Sequence, residues 1–185
     1  DIAVLLLAAG ASSRMKGSDK LLEDVGGQPC IRVMAQRALA VSRHVIVTLP
    51  DLYHDRALIL ADLGVNRISV GDAVDHETWG MSESLKIGIT VVRNAATMIL
   101  PSDMPGITSQ GMVELIRRHQ SGRITRAKSV DGVPGHPVIF DQRFYPQFSE
   151  LKGDEGARSI LQTHAAEVDL VEIDGDPLTD LDTQE

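Results

Sequence analysis

A chain of 185 residues with 43% hydrophobic content can bury one substantial core and is read as a single domain over residues 1–185. Its net charge of −8 excludes general nucleic-acid binding, because neutralising phosphates needs a basic face, so any anionic ligand falls to a local basic cluster. No stretch approaches the roughly 20 apolar residues that cross a bilayer, and the lone Cys30 fits a reducing compartment, the cytoplasm.

The chain opens with IAVLLL, a buried-strand run over 2–7 that enters the small-residue turn Ala8-Ala9-Gly10-Ala11, followed by Ser12, Arg14, Lys16 and Lys20. The apolar opening lacks the basic segment of a secretory signal. Small residues let backbone approach a ligand, exposed amides form an anion-binding concavity, and the cations after the turn supply charge. A P-loop is excluded because Ser18-Asp19-Lys20 follows Gly17, and a dinucleotide fingerprint because Gly10 is the only glycine before Gly17. An ordinary core strand with a tight turn remains the competing reading.

Further along, apolar runs predict strands at 44–49, 66–70, 97–100 and 167–173, and three- and four-residue apolar spacing predicts helices at 29–41, 54–63, 81–93, 108–120 and 155–165. The alternation predicts an α/β, three-layer, Rossmann-like fold: a mostly parallel sheet with helices on both faces. Residues 124–140 break the rhythm. Two β-like runs flank Asp131-Gly132 and predict a small antiparallel hairpin insertion.

Ligands on open α/β sheets sit beyond the carboxyl ends of the strands. The loop at 8–20, the loop at 78–84 and the loop at 101–105 all fall there. Asp103, directly after the strand TMIL, is placed either to hold a hard cation or to cap the helix starting near Thr108, where Thr108 or Ser109 is the better cap. Gly80, Met81, Ser82 and Ser84 read either as a tight turn whose hydroxyls and amides meet a nucleobase or ribose, or as plain capping with Ser82 at the N-cap. The histidines show no zinc-like spacing.

These motifs resemble the nucleotidyltransferases, in the branch that contains molybdenum cofactor cytidylyltransferases. The likeness rests on Leu7-Ala8-Ala9-Gly10, Ser12, Arg14-Met15 and Lys20, on Gly80-Met81-Ser82-Glu83-Ser84-Leu85, Asp103-Met104-Pro105, Gly135-His136-Pro137 and 153–158, and on the closing Asp180-Leu181-Asp182-Thr183. It departs by an extra residue between Met15 and Gly17 and by Gln184 in place of proline. The resemblance implies CMP transfer from CTP to the terminal phosphate of molybdopterin cofactor, with release of pyrophosphate. Arg14 and Lys20 would be catalytic with Asp103, and Mg2+ would lie on Asp103 and Asp182. Ala8, Ala9, Gly10 and Ser12 would cradle the nucleotide, while Gly135, His136, Pro137 and Asp154 would line the acceptor side.

It also implies transient contact with a molybdoenzyme or its chaperone. Two alternatives stay open: an NTP transferase using GTP or another phosphorylated acceptor, and a non-catalytic nucleotide-binding module. Asp182 alone lies in an acidic end that otherwise reads as a solvated tail, and Arg158 reads equally as phosphate partner or solvated helix face.

Overall fold

The computed structural model describes residues 1–10, 19–71 and 80–181. Strand β1 (Ile2–Leu7) is the centre of the sheet, because every side chain from Ala3 to Leu6 is buried. It pairs in parallel with β4 (Val45–Leu49) on one side and with β6 (Ala96–Pro101) on the other. Strand β5 (Asn66–Ser69) extends the parallel array beyond β4. A short ribbon of β2 (Asp24–Val25) and β3 (Gln28–Pro29), not foreseen from the sequence, leads into α1 (Cys30–Val41).

The expected hairpin forms from β7 (Ile124–Lys128) and β8 (Pro134–Asp141) around Gly132. It is part of the main sheet, since β8 pairs antiparallel with β6 and β7 pairs in parallel with β9 (Val168–Glu172). The seven strands run in the order β5-β4-β1-β6-β8-β7-β9, with β8 alone reversed. Successive side chains of a strand point to opposite faces. Val4 and Leu6 therefore join α1 and α4 (Ser109–Arg118) on one side, while Ala3 and Leu5 join α3 (Met81–Val91) and the 3-10 helix Gln142–Glu150 on the other.

Two helices are shorter than their apolar spacing suggests. Helix α2 covers only Asp55–Ile59. Helix α5 covers Arg158–Thr163 because Gly156 lies at φ +59°, a left-handed backbone that no right-handed helix contains. Among the described residues, no helix is long and apolar enough to cross a membrane.

Candidate functional site

The carboxyl edge of the parallel strands is drawn together by backbone bonds between neighbouring loops. Ala8 N–H donates to Thr48 O (3.0 Å) and Ser102 N–H donates to Leu7 O (3.2 Å), which fixes the exits of β1, β4 and β6 side by side. Ala8 and Ala9 are buried and Gly10 is exposed. Lys20 opens a 3-10 turn, Lys20–Leu22, that Asp19 caps by accepting from Leu21 N–H at 3.1 Å. Lys20 Nζ lies 2.8 Å from Asp103 Oδ2, with side-chain exposures of 17% and 22%. Two residues distant in sequence, both anticipated, thus meet at the mouth of this edge. Ser12 and Arg14 lie outside the described residues.

The alternative role for Asp103, capping the following helix, is excluded: Thr108 caps α4, with Oγ1 accepting from Gly111 N–H at 3.0 Å. Below Asp103, Cys30 Sγ donates to Ser102 O at 3.2 Å. Burial pushes this thiol up to about 11, with the Asp103 charge adding to the effect, so it is a protonated donor bracing the loop.

A residue that the sequence did not single out underlies the loop. Arg56, 1% exposed, donates from Nε and Nη2 to both Asp19 carboxylate oxygens (2.6 and 2.8 Å), and from Nη1 to Ala8 O (2.6 Å) and Gly10 O (3.0 Å). Burial alone would raise the Asp19 carboxyl, but the hydrogen bonds and charge of Arg56, with the Leu21 amide, hold it below the usual range. One arginine near the start of a short helix carries no periodic or motif signal, so only the fold exposes the pairing.

The chain end folds back over the same edge. Asp176 N–H donates to Gly106 O, His136 N–H to Pro177 O and Leu181 N–H to Asp103 O, each at 2.9 Å. The acidic stretch is therefore held in place as far as Leu181. Asp182 follows directly and lies outside the described residues. The strap needs glycine beneath it. A Cβ at Gly135 would stand 2.0 Å from Pro177 O, and one at Gly111 would stand 2.3 Å from Asp174 O. Gly135→Ala is accordingly expected to cost about 1–3 kcal/mol by overpacking, measurable as a lower unfolding temperature, whereas Gly122→Ala, facing open space but at positive φ, tests backbone strain without the strap.

The turn at 80–84 is placed differently from its expected role. Gly80 is the N-cap of α3, and Ser82 is a fully buried residue of the first turn. Met81 N–H donates to Asp154 Oδ1 (3.2 Å) and Ser82 N–H to Gly153 O (3.1 Å). Two of the amides expected to meet a base are thus taken by the 153–154 loop, and the Ser82 and Ser84 side chains are buried. Asp154, expected on the acceptor side, here accepts from the first amide of this helix, and a Cβ at Gly80 would press on its carboxylate at 2.6 Å. Helix α3 also packs closely on β1, where a Cβ at Gly88 would come within 2.6 Å of Leu5.

Gly135, His136 and Pro137 do reach the edge, since β8 runs antiparallel and begins where β6 ends. His136 borders a cavity of about 430 Å3 walled by Leu7, Met81, Leu85, Val138 and Leu161, with Arg126 and Arg158 also on its lining. Burial pushes the imidazole down to about 4, the Arg126 cation adding to the push and Asp103 opposing it, so His136 is neutral near pH 7. Its Nδ1 is shielded and unpartnered. The other buried polar side-chain atoms without a partner among the described residues are Ser69 Oγ at the end of β5, Ser82 Oγ at the start of α3 and Ser102 Oγ after β6. All four lie at or beside one edge of the sheet.

Among the described residues, no three His, Cys, Asp or Glu side chains cluster as a metal cage. Asp103 nonetheless suits a hard cation that takes most of its ligands from phosphates and water, for which one or two protein carboxylates suffice.

The family model for the MobA-like NTP transferase domain matches residues 4–168. Nicotine blue oxidoreductase of Paenarthrobacter nicotinovorans is 29% identical, across 98% of this chain and 92% of that one. A molybdenum cofactor guanylyltransferase of Pseudomonas fluorescens is 31% identical over 60% of this chain, which spans about half (52%) of that relative. Rv0371c of Mycobacterium tuberculosis superposes with a TM-score of 0.83 at 23% identity, covering 98% of this chain and 93% of that one, and its manganese complex does so at 0.80. The family model spans most of the chain and the fold agrees with it, so the chain belongs to the MobA-like NTP transferase domain family.

Proposed function

We propose that this protein transfers CMP from CTP to the terminal phosphate of molybdopterin cofactor. An acceptor phosphate oxygen attacks the α-phosphorus, the bond from that phosphorus to the bridging oxygen breaks, and pyrophosphate departs. The observation that carries the reading is the Lys20–Asp103 pair at the mouth of a small-residue loop. Such transfer asks a protein for alignment and charge stabilisation, with no protein nucleophile. The Lys20 ammonium neutralises charge at the α-phosphate, and Arg14 that of the leaving pyrophosphate.

Asp103, with Asp182 next along the strap from Leu181, would hold Mg2+, which supplies Lewis-acid polarisation of phosphate oxygens. That Rv0371c, a protein of the same fold, forms a complex with manganese favours a divalent cation in this chain. The cavity beside His136 takes the acceptor ring: its apolar walls pack on flat faces, and the neutral imidazole meets an edge donor or acceptor. The surface around it is the face through which a molybdoenzyme or its chaperone would receive product.

The decisive assay offers each of the four NTPs with Mg2+ and molybdopterin cofactor, measuring pyrophosphate and the mass of the dinucleotide. CTP-dependent release that requires the acceptor is expected. Release with GTP alone would reassign the base, as the guanylyltransferase relatives favour, and no release with any NTP would sink the reading. A second reading, redox turnover, is favoured by the oxidoreductase matched along nearly its full length. An arm with nicotine blue and a reduced nicotinamide dinucleotide tests it.

Base choice is expected to depend on Ala9, whose methyl is buried beside the loop. Competition between CTP and GTP should shift toward GTP in Ala9→Gly by the roughly 10-fold that a size difference gives. Ser82→Ala should leave the ratio unchanged, because that hydroxyl is buried and its amide is already bonded.

A further inference from the structure

We infer that Arg56 is the positioning residue of the phosphate loop: it sets the orientation of the loop backbone and cancels the Asp19 carboxylate, which would oppose a triphosphate there. The inference rests on the nucleotidyl-transfer reading for its consequence, but on geometry for its substance. At 1% exposure Arg56 has no surface to offer a substrate, so its cation is spent within the protein. Its planar fork binds Asp19 through two parallel N–H donors, an arrangement that lysine cannot reproduce.

Nη1 acts on backbone. A trans peptide sets its N–H antiparallel to its C=O. Drawing Ala8 O to Nη1 at 2.6 Å therefore turns the Ala9 N–H away from the buried guanidinium. The bond to Gly10 O, at 3.0 Å, holds a second carbonyl, two residues further along, to the same guanidinium. Asp19, for its part, caps the turn from which Lys20 reaches Asp103. Arg56 thus ties the backbone cradle and the catalytic lysine to one rigid point, and a displacement of about 1 Å in such a frame is enough to cost about 100-fold in rate.

Charge makes the second half of the argument. An unpaired Asp19 next to Lys20 would repel the phosphates that Lys20 attracts. Pairing with Arg56 makes the duo neutral, so Asp19 does not offset the loop's cations Arg14, Lys16 and Lys20.

The test compares Arg56→Lys, Arg56→Ala and Arg56→Ala/Asp19→Asn with the wild type. Circular dichroism reports folding, hydrogen exchange of the segment 4–22 without nucleotide reports loop order, and calorimetry reports Mg·CTP affinity. Arg56→Lys is expected to stay folded, to exchange faster in that segment and to bind Mg·CTP about 10- to 100-fold more weakly, the range of a lost charged hydrogen bond. KM for the acceptor should not move. The double variant should bind more tightly than Arg56→Ala, because it removes the uncompensated carboxylate; should Arg56→Ala not fold, the double variant is compared with Arg56→Lys and is expected to bind at least as well.

Unchanged exchange in Arg56→Lys, or faster exchange with CTP affinity intact, overturns the inference. No recovery in the double variant overturns its charge-cancelling half. A wild type that binds no NTP overturns the transferase reading instead, and the exchange rates then decide the loop's dependence on Arg56 by themselves.

Discussion

Asp103→Asn is expected to lower cation-dependent turnover by about 1,000-fold, since a Lewis acid contributes several kcal/mol of transition-state stabilisation and each 1.36 kcal/mol is tenfold. The amide keeps the size and one oxygen of the carboxylate and loses its charge, so it is a poorer partner for a hard dication. Direct titration with Mn2+, followed by its paramagnetic resonance signal, should show weakened binding in the same variant. Folding should be nearly unchanged. The pair with Lys20 lies partly exposed, and such pairs are worth on the order of 1 kcal/mol. Wild-type Mn2+ affinity together with wild-type turnover would remove Asp103 from the site and leave it a structural partner of Lys20.

The sheet was legible in the sequence because its central strands are apolar on both faces. IAVLLL and TMIL cannot be surface elements, and both stand where periodicity puts them, at Ile2–Leu7 and within Ala96–Pro101. Lys20 and Asp103 were legible for a related reason: each follows such a strand, and strand ends converge. What stayed hidden depends on contacts between loops. Ser82 reads as an N-cap in isolation, yet Gly80 is the N-cap, the 153–154 loop takes the Met81 and Ser82 amides from a distant part of the chain, and the serine is buried. The acidic end reads as a solvated tail, yet Gly106, Gly111 and Gly135 leave room for it to lie on the sheet edge and bond to Asp103 O. Arg56 is hidden most completely. A charged residue at the start of a helix is ordinary in sequence, and only burial against Asp19, Ala8 and Gly10 gives it meaning.

Lys20→Ala should reduce kcat by about 100-fold while changing KM for CTP much less. On the proposed reaction the ammonium neutralises charge that grows at the α-phosphate in the transition state, and removing one preorganised electrostatic contact of that kind costs about 100- to 1,000-fold in kcat. A loss confined to kcat marks an interaction made in the transition state, whereas a raised KM with kcat intact would mark simple ground-state binding of phosphate. Lys20→Arg is expected to recover only part of the rate, since a broad planar fork does not fit where a compact ammonium meets Asp103 Oδ2 at 2.8 Å. Because Lys20 and Asp103 touch, their effects should not add: the double variant Lys20→Ala/Asp103→Asn should fall short of the product of the single losses. Purely multiplicative losses would mean that the two residues act at separate points, and an unaffected kcat in Lys20→Ala would reduce the pair to a structural contact at the mouth of the loop.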